Sequence, residues 1–368
     1  MFSSYKDNLT RVSRFLIEHE RSLSYAGLVA GFVFDAIFFR RVDVPFENIA
    51  IILHFVVGFF AILLMHVRMS WYEEHAELRR LRAFLPFILQ FAIGGLFGKF
   101  AILYSRSGAL IKSWPFILML AVLFIGNEWF RERYERLHFR LAIFFTALFS
   151  YCIFSIPVLT KSIEVGSFVL SGVVSLALMV AIIELLNFLS HESVMRERLR
   201  LYGIIAGIFV VFQLFYFTNI IPPIPLALKE SGVYHSIERN TQGNYVVVGE
   251  AKNWSDYLKW YEPFHLQEGR PVYVYSAIFS PTDLNTNIVH EWQYYDDVPN
   301  EWVSVQRVEL PIVGGRDGGF RTYSLRSAVR AGSWRVNIET LRGQLIGRLN
   351  FEVFEARQLP TLLTDTLE

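Results

Sequence analysis

The chain has 368 residues, 53% hydrophobic and 16% aromatic against 19% charged, more apolar side chain than a water-soluble fold of this length can bury. Thirty-five Lys and Arg against thirty-four Asp and Glu give a formal net charge of +1, which excludes a polyanion-binding or disordered chain. The single cysteine, Cys152, excludes an intramolecular disulfide.

Residues 1–21 read as a cytoplasmic amphipathic segment, in which Leu9, Val12, Phe15 and Leu16 interleave with Arg11 and Arg14. A helix needs about 20 apolar residues to cross the hydrocarbon core of a bilayer. Seven such runs follow, at 22–39, 47–66, 82–103, 113–130, 138–157, 163–189 and 199–220. They are apolar on every face, as segments surrounded by lipid and by one another must be. The first is expected to be retained as a span, because it is long, lacks a small-x-small cleavage site and is followed by six more. Connections on one side of the runs carry fifteen Lys and Arg, and those on the other side five. That bias places the N-terminus in the cytoplasm and everything after the seventh span outside it, which in a Gram-negative bacterium is the periplasm.

Pro222, Pro223 and Pro225 stiffen an exit segment over 221–228, and the long apolar runs end there. A second domain is expected over 229–356, with a polar tail at 357–368. Alternating or β-branched stretches occur at 245–248, 272–279, 288–295, 302–313, 320–325, 333–338 and 345–354. Turn signals separate them, including Gly269-Arg270-Pro271 and the glycine-rich run at 314–319. Trp254, Tyr257, Leu258 and Tyr261 recur at helical spacing and form an aromatic stripe that reads as core, as a surface resting on the bilayer, or as a ligand or partner contact. The expected fold class is a membrane all-α seven-helix bundle followed by a C-terminal all-β, antiparallel, sandwich-like extracytoplasmic domain.

Ionisable residues within spans cost at least about 2.5 kcal/mol at the bilayer centre, so each is a functional candidate. Asp35, His54 and Lys99 enter their spans from the outer side and could converge as a hydrated cluster, or Asp35 and Lys99 could pair structurally. Glu128, Glu184 and Asn187 lie toward the cytoplasmic side. Gly27/Gly31, Gly94/Gly98 and Gly203/Gly207 are small-residue pairs one helical turn apart, suited either to a homo-oligomer face or to packing within one bundle.

No catalytic constellation of known spacing occurs: no paired cysteines, no His-Glu-x-x-His helix, no nucleophile elbow and no Walker loop. No metal site, catalytic residue or cofactor is therefore expected. The glycine-rich run precedes a strand, so it lacks the helix N-terminus that would hold a phosphate. His290, Trp292, Arg321 and Ser324 fall on neighbouring strands and could form a polar and aromatic surface for a sugar ring, carboxylate or phosphate, or instead a buried link between strands.

An ordered series runs through this region: His290 and Trp292, Gly314-Gly315-Arg316, Arg321-Thr322-Tyr323-Ser324, Gly332-Ser333-Trp334-Arg335-Val336, Gly343-Gln344, Gly347 and Phe351. It resembles the bacterial domain of unknown function 2914 over roughly residues 271–355. The resemblance implies a β fold and an envelope setting after a multispan membrane region, and no catalytic residues. Residues 1–228 hold 21 basic and 16 acidic side chains, and residues 229–368 hold 14 and 18, a mildly acidic outer part that disfavours nucleic acid. The expected function is a non-enzymatic inner-membrane protein displaying a periplasmic β domain that binds an envelope protein or glycan. The alternatives are transport or lipid handling through Asp35, His54, Lys99 and Glu184, or an intramembrane enzyme acting on a lipid-linked substrate.

Overall fold

The computed structural model describes residues 33, 45–66, 76–107, 110–126, 133–134, 136–222, 225–241, 243–251, 259–281, 284–314 and 318–367. They contain six helices: α1 (Pro45–His66), α2 (Ala76–Ser107), α3 (Leu110–Gly126), α4 (Leu137–Thr160), α5 (Val165–Leu189) and α6 (His191–Phe217). Seven were expected, and the described residues support six. Six of the expected runs coincide with these helices, while the run at 22–39 and the segment 1–21 lie outside the described residues except for Val33. Five helices contain stretches long and apolar enough to cross a membrane, at 48–66, 85–105, 137–160, 165–189 and 194–217; α3 is the shorter one.

The chain divides into two compact units. The first comprises 1–103, 117–152 and 171–213, and contains most of the helical residues. Within it, glycines let backbones approach: a Cβ on Gly98 would stand 3.2 Å from the Phe124 ring, and one on Gly172 2.9 Å from Phe209. Phe149 stacks on Phe212 at 4.6 Å and on Phe209 at 5.6 Å.

The second unit comprises 104–116, 153–170 and 214–368, so it joins helix ends to the β region. Helix α6 stops at Asn219, whose φ of +58° turns the chain left-handed, and the Ile220 and Ile221 N–H groups cap the freed Phe215 carbonyl. The turn between the last long strands reaches these helix ends: the Arg342 guanidinium lies 4.4 Å over the Tyr216 ring, and Asn219 Nδ2 donates to the Arg342 carbonyl at 3.5 Å.

Eleven strands follow: β1 (Ala227–Tyr234), β2 (Ser236–Arg239), β3 (Tyr245–Glu250), β4 (Glu262–Leu266), β5 (Val272–Phe279), β6 (Asn285–Asp296), β7 (Glu301–Val313), β8 (Phe320–Arg326), β9 (Gly332–Thr340), β10 (Leu345–Glu355) and β11 (Leu362–Leu367). The seven expected strands are all present, and β1, β2, β4 and β11 are additional. They form three sheets, ordered β1-β5-β8, β4-β10-β9-β6-β7 and β11-β3-β2. Pairing is antiparallel except between β10 and β4, which run parallel.

The three-stranded sheet β1-β5-β8 is covered on both faces. Val233, Val272 and Val274 meet Trp292, Trp334, Val336, Phe351 and Val353 of the five-stranded sheet in one core. On the other face, Tyr275 and Ala277 meet Ile237, Val247 and Leu367 of the third sheet. β5 is therefore buried on both sides, which is why it reads Val-Tyr-Val-Tyr-Ser-Ala-Ile-Phe instead of alternating with charge.

Candidate functional site

Successive side chains on β6 point to opposite faces. His290 and Trp292, each 0% exposed, point toward β5 and β8. Ser276 Oγ lies 2.8 Å from His290 Nε2, and Ser324 Oγ lies 2.9 Å from Nδ1. Trp292 Nε1 donates to the same Ser324 oxygen at 3.0 Å. A neutral imidazole donates through one ring nitrogen and accepts through the other, and a hydroxyl can do either, so the two serines satisfy both nitrogens of His290 in either tautomer. Burial pushes the imidazole down to about 3, so His290 is neutral at any physiological pH.

His290, Trp292 and Ser324 thus converge, but inside the core and not on a ligand-facing surface, because a second sheet covers that face of β6. Arg321 does not join them. Three residues from Ser324 on one strand, it occupies the opposite face, paired with Ala277, and its carbonyl accepts from Tyr245 Oη at 3.4 Å. Trp254 and Tyr257 lie outside the described residues. Tyr261 is 39% exposed, and its neighbour Trp260 is 94% exposed.

Of the candidates in the helices, Asp35 and Glu128 lie outside the described residues. His54 Nδ1 donates to the Ala50 carbonyl at 2.7 Å, and the imidazole ring packs against α2 where a Cβ on Gly95 would strike it. Lys99, one turn beyond Gly95, is buried. Glu184 lies on an exposed part of α5, where it accepts from Tyr202 Oη of α6 at 3.2 Å and from Asn187 Nδ2 at 3.4 Å. Gly98 packs inside the bundle, whereas Gly203 and Gly207 face open space among the described residues. Gly27 and Gly31 lie outside them.

The polar chemistry of the β region is on the other face of β6, among residues that sequence reasoning passed over. Glu291, 8% exposed, is a hub on the solvent side of the five-stranded sheet. Its Oε1 accepts from Ser304 Oγ at 3.0 Å and Arg307 Nη1 at 3.1 Å. Its Oε2 accepts from Gln293 Nε2 at 2.7 Å and Asn337 Nδ2 at 3.2 Å. Because both amide NH₂ groups are committed to Glu291, both amide oxygens turn outward. Gln293 Oε1 accepts Arg335 Nε at 2.6 Å, and Asn337 Oδ1 accepts Arg348 Nε at 2.7 Å. Arg335 also lies over the Trp302 ring at 4.2 Å, and Trp302 meets Tyr295 edge-on at 5.1 Å. The readable signal was strand parity: once His290 and Trp292 face inward, Glu291, Gln293 and Tyr295 must face outward.

A smaller cluster ties β3 to β4. Glu250 Oε1 accepts from His235 Nε2 at 3.2 Å, and Oε2 accepts from His265 Nδ1 at 2.8 Å. Burial opposes ionisation of Glu250, but the hydrogen bonds from both imidazoles and from the His265 N–H outweigh it and hold the carboxyl below its usual range. The cavity among Phe168, Tyr216, Pro222 and Gln344 has about 20 Å³, the room of a single water.

Solved structures similar to this chain include β-glucosidase from Listeria innocua in complex with gluconolactone, at 12% identity and a TM-score of 0.19, covering 30% of this chain and 16% of that one. The same enzyme in complex with isofagomine gives 12% identity and a TM-score of 0.20 over 32% and 17%. The chain thus spans about a sixth of the β-glucosidase. Pseudomonas fluorescens alkylpurine DNA glycosylase AlkC, bound to DNA containing an abasic site analog, gives 10% identity and a TM-score of 0.20 over 76% of this chain and 82% of that one. Such scores fall short of a shared fold, and nothing is transferred from them. No curated protein matches the chain. Residues 285–353, which run from β6 through most of β10 and carry the whole Glu291 network, match the model of a family described as "Protein of unknown function (DUF2914)".

Proposed function

We propose that the chain is a bacterial inner-membrane protein, with its N-terminus in the cytoplasm and its C-terminal β region in the periplasm, that displays the β region as a non-enzymatic recognition module for an envelope protein or glycan. The observation that carries this reading is a contrast of surfaces. On the helices the outward side chains are apolar, among them Ile49, Leu53, Phe60, Trp114, Val173 and Leu199, which water would not tolerate over such an area and lipid would. On the five-stranded sheet the outward side chains are the Glu291 network and its arginines. The excess of Lys and Arg on one side of the spans supports the orientation.

The test has two arms. Cys152 is buried and is the sole cysteine, so Val298→Cys, placed at a site 94% exposed, can be added to Cys152→Ser as the only thiol. A membrane-impermeant maleimide is expected to label it in intact spheroplasts; labelling only after lysis overturns the orientation. Full-length protein in lipid nanodiscs is then incubated with cell-wall sacculi and, separately, with solubilised envelope proteins. Saturable retention of one of these is expected, and the absence of retention from both overturns the recognition role.

A further inference from the structure

We infer that Arg335 and Arg348 form a seat for a carboxylate carried on a sugar chain, with Trp302 and Tyr295 beside it as a platform for the ring. The inference deepens the envelope-recognition reading and rests on it. The two arginines are diagonal neighbours on β9 and β10: Arg335 stands opposite Asn350, and Arg348 opposite Asn337, all on the solvent side of the sheet.

Each guanidinium is held from behind. The Nε of Arg335 and of Arg348 is fixed by an amide oxygen, and both amides are oriented by one carboxylate, Glu291. Neither Nη group of either arginine makes a hydrogen bond to any described residue. A guanidinium anchored through Nε presents its Nη donors as a planar fork, and a carboxylate is the group whose two oxygens match it. Stacking on Trp302 removes further freedom from Arg335, so little ordering is left to be done on binding.

Charge points the same way. Glu291 is already ion-paired with Arg307. Glu339, the buried carboxyl next to Glu291 on this face, is pushed up by burial and by Glu291, while Glu309 and Glu352 stand farther along it. Burial and the neighbouring Arg348 push Arg335 down to about 10, still protonated at physiological pH, so two like charges remain side by side. One added negative charge relieves that repulsion. A doubly charged phosphate would in addition meet Glu291 and Glu339, in a part of the chain with 14 basic and 18 acidic residues from 229 onward, which favours the singly charged carboxylate. Around it, Gln293, Asn337, Ser304 and the aromatic pair Tyr295 and Trp302 are the side-chain types that bind sugar hydroxyls and ring faces.

The test uses full-length protein in nanodiscs, with a hexuronate oligosaccharide as probe, a neutral hexose oligosaccharide of equal length as comparison, and inorganic phosphate as competitor. Direct binding of the hexuronate is expected, at least tenfold tighter than the neutral sugar. It should fall at least tenfold in Arg335→Gln/Arg348→Gln, fall severalfold in Arg348→Lys, which keeps the charge but loses the fork, and stay unchanged in Arg270→Gln. Thermal melting confirms that each variant is folded; should the double variant not fold, Arg348→Lys alone decides. Equal binding of hexuronate by wild type and folded variants, or equal binding of the two sugars, overturns the seat. Phosphate displacing the hexuronate at equal concentration overturns the choice of carboxylate. If sacculi and envelope proteins are not retained by the wild type while the hexuronate binds through Arg335 and Arg348, the envelope role fails and the seat stands.

Discussion

Acidification from pH 6.5 to 3 is expected to destabilise the β region through His290 by about 1.4 kcal/mol per pH unit, roughly 4–5 kcal/mol in all. The sign follows from the direction of the shift. Burial lowers the folded imidazole from its ordinary 6.5 to about 3, so between those values the unfolded chain binds a proton that the folded chain refuses. Stability from this group is complete above pH 6.5 and is lost as the pH falls toward 3. His290→Leu should remove that slope while lowering stability at pH 7.5 by roughly 2–4 kcal/mol, because Ser276 and Ser324 lose their shared partner in a dry core, Ser324 keeping only the Trp292 N–H. Tryptophan-fluorescence melting of the full-length protein in detergent at pH 7.5 and 4.5 checks both statements. Other carboxylates, Glu250 among them, lose their pairing in acid too, so the informative quantity is the difference in slope between wild type and His290→Leu. Identical slopes would assign the acid sensitivity elsewhere.

The second large effect is expected in the glycine-rich run after β7, where three glycines should respond differently to one methyl group. A Cβ on Gly314 would overlap the carbonyl oxygen of Pro281 and lie 3.0 Å from that of Leu284, both backbone atoms that cannot swing aside. Gly319 has a φ of +88°, and its Cβ would stand 2.9 Å from the Ile278 backbone. Gly318 meets only the far end of the Arg321 side chain, at 3.7 Å. Gly314→Ala and Gly319→Ala should therefore each cost about 2–4 kcal/mol, and Gly318→Ala less than about 0.5 kcal/mol. Melting temperature and protease resistance of the three variants provide the comparison. A Gly318→Ala variant as damaged as Gly314→Ala would show that the run is governed by something other than backbone approach. The outcome also bears on what the glycines are for: close packing of the loop against the 281–284 backbone and β5, with no helix N-terminus behind it to receive a phosphate.

Much of the architecture was legible without coordinates, wherever an element carried its own periodicity. The uninterrupted apolar runs marked the helices, because a segment that exposes itself to other apolar groups on all sides needs no polar face. The alternating or β-branched stretches at 272–279, 302–313 and 345–354 became β5, β7 and β10, the first with its bounds unchanged and the others with small changes of boundary. Elements that borrow their stability from neighbours were missed. β1, Ala-Leu-Lys-Glu-Ser-Gly-Val-Tyr, has no regular alternation and exists because it pairs with β5 along its length. β11, which read as a polar tail, is mostly exposed and is a strand because β3 offers it an edge, with Leu367 reaching the third sheet's core. β4 pairs parallel with β10 across more than eighty intervening residues, a register that no local signal encodes.

The site divides in the same way. Alternation along β6 determined that His290 and Trp292 share one face and that Glu291 and Gln293 share the other, since the side-chain period of a strand is two. Which face is dry was decided by the packing of β1-β5-β8 against one side only, a contact between residues far apart in the chain. That packing turned the His-Trp-Ser set into core and left the carboxylate, two amides and two arginines on the sheet's other face, Glu291 and Asn337 buried beneath the arginines that their network holds. Arg321 shows the limit from the other direction: three residues from Ser324, its exclusion was already written in the strand period, whereas the convergence of Arg335 and Arg348 on Glu291 needed three strands in register. Composition determined that this chain carries more apolar side chain than a water-soluble fold can bury, and the positions of the apolar runs placed that excess before residue 221. Only the tertiary structure decided which face of the sheet is dry core and which polar residues lie together on the other, because that rests on contacts between strands far apart in the chain.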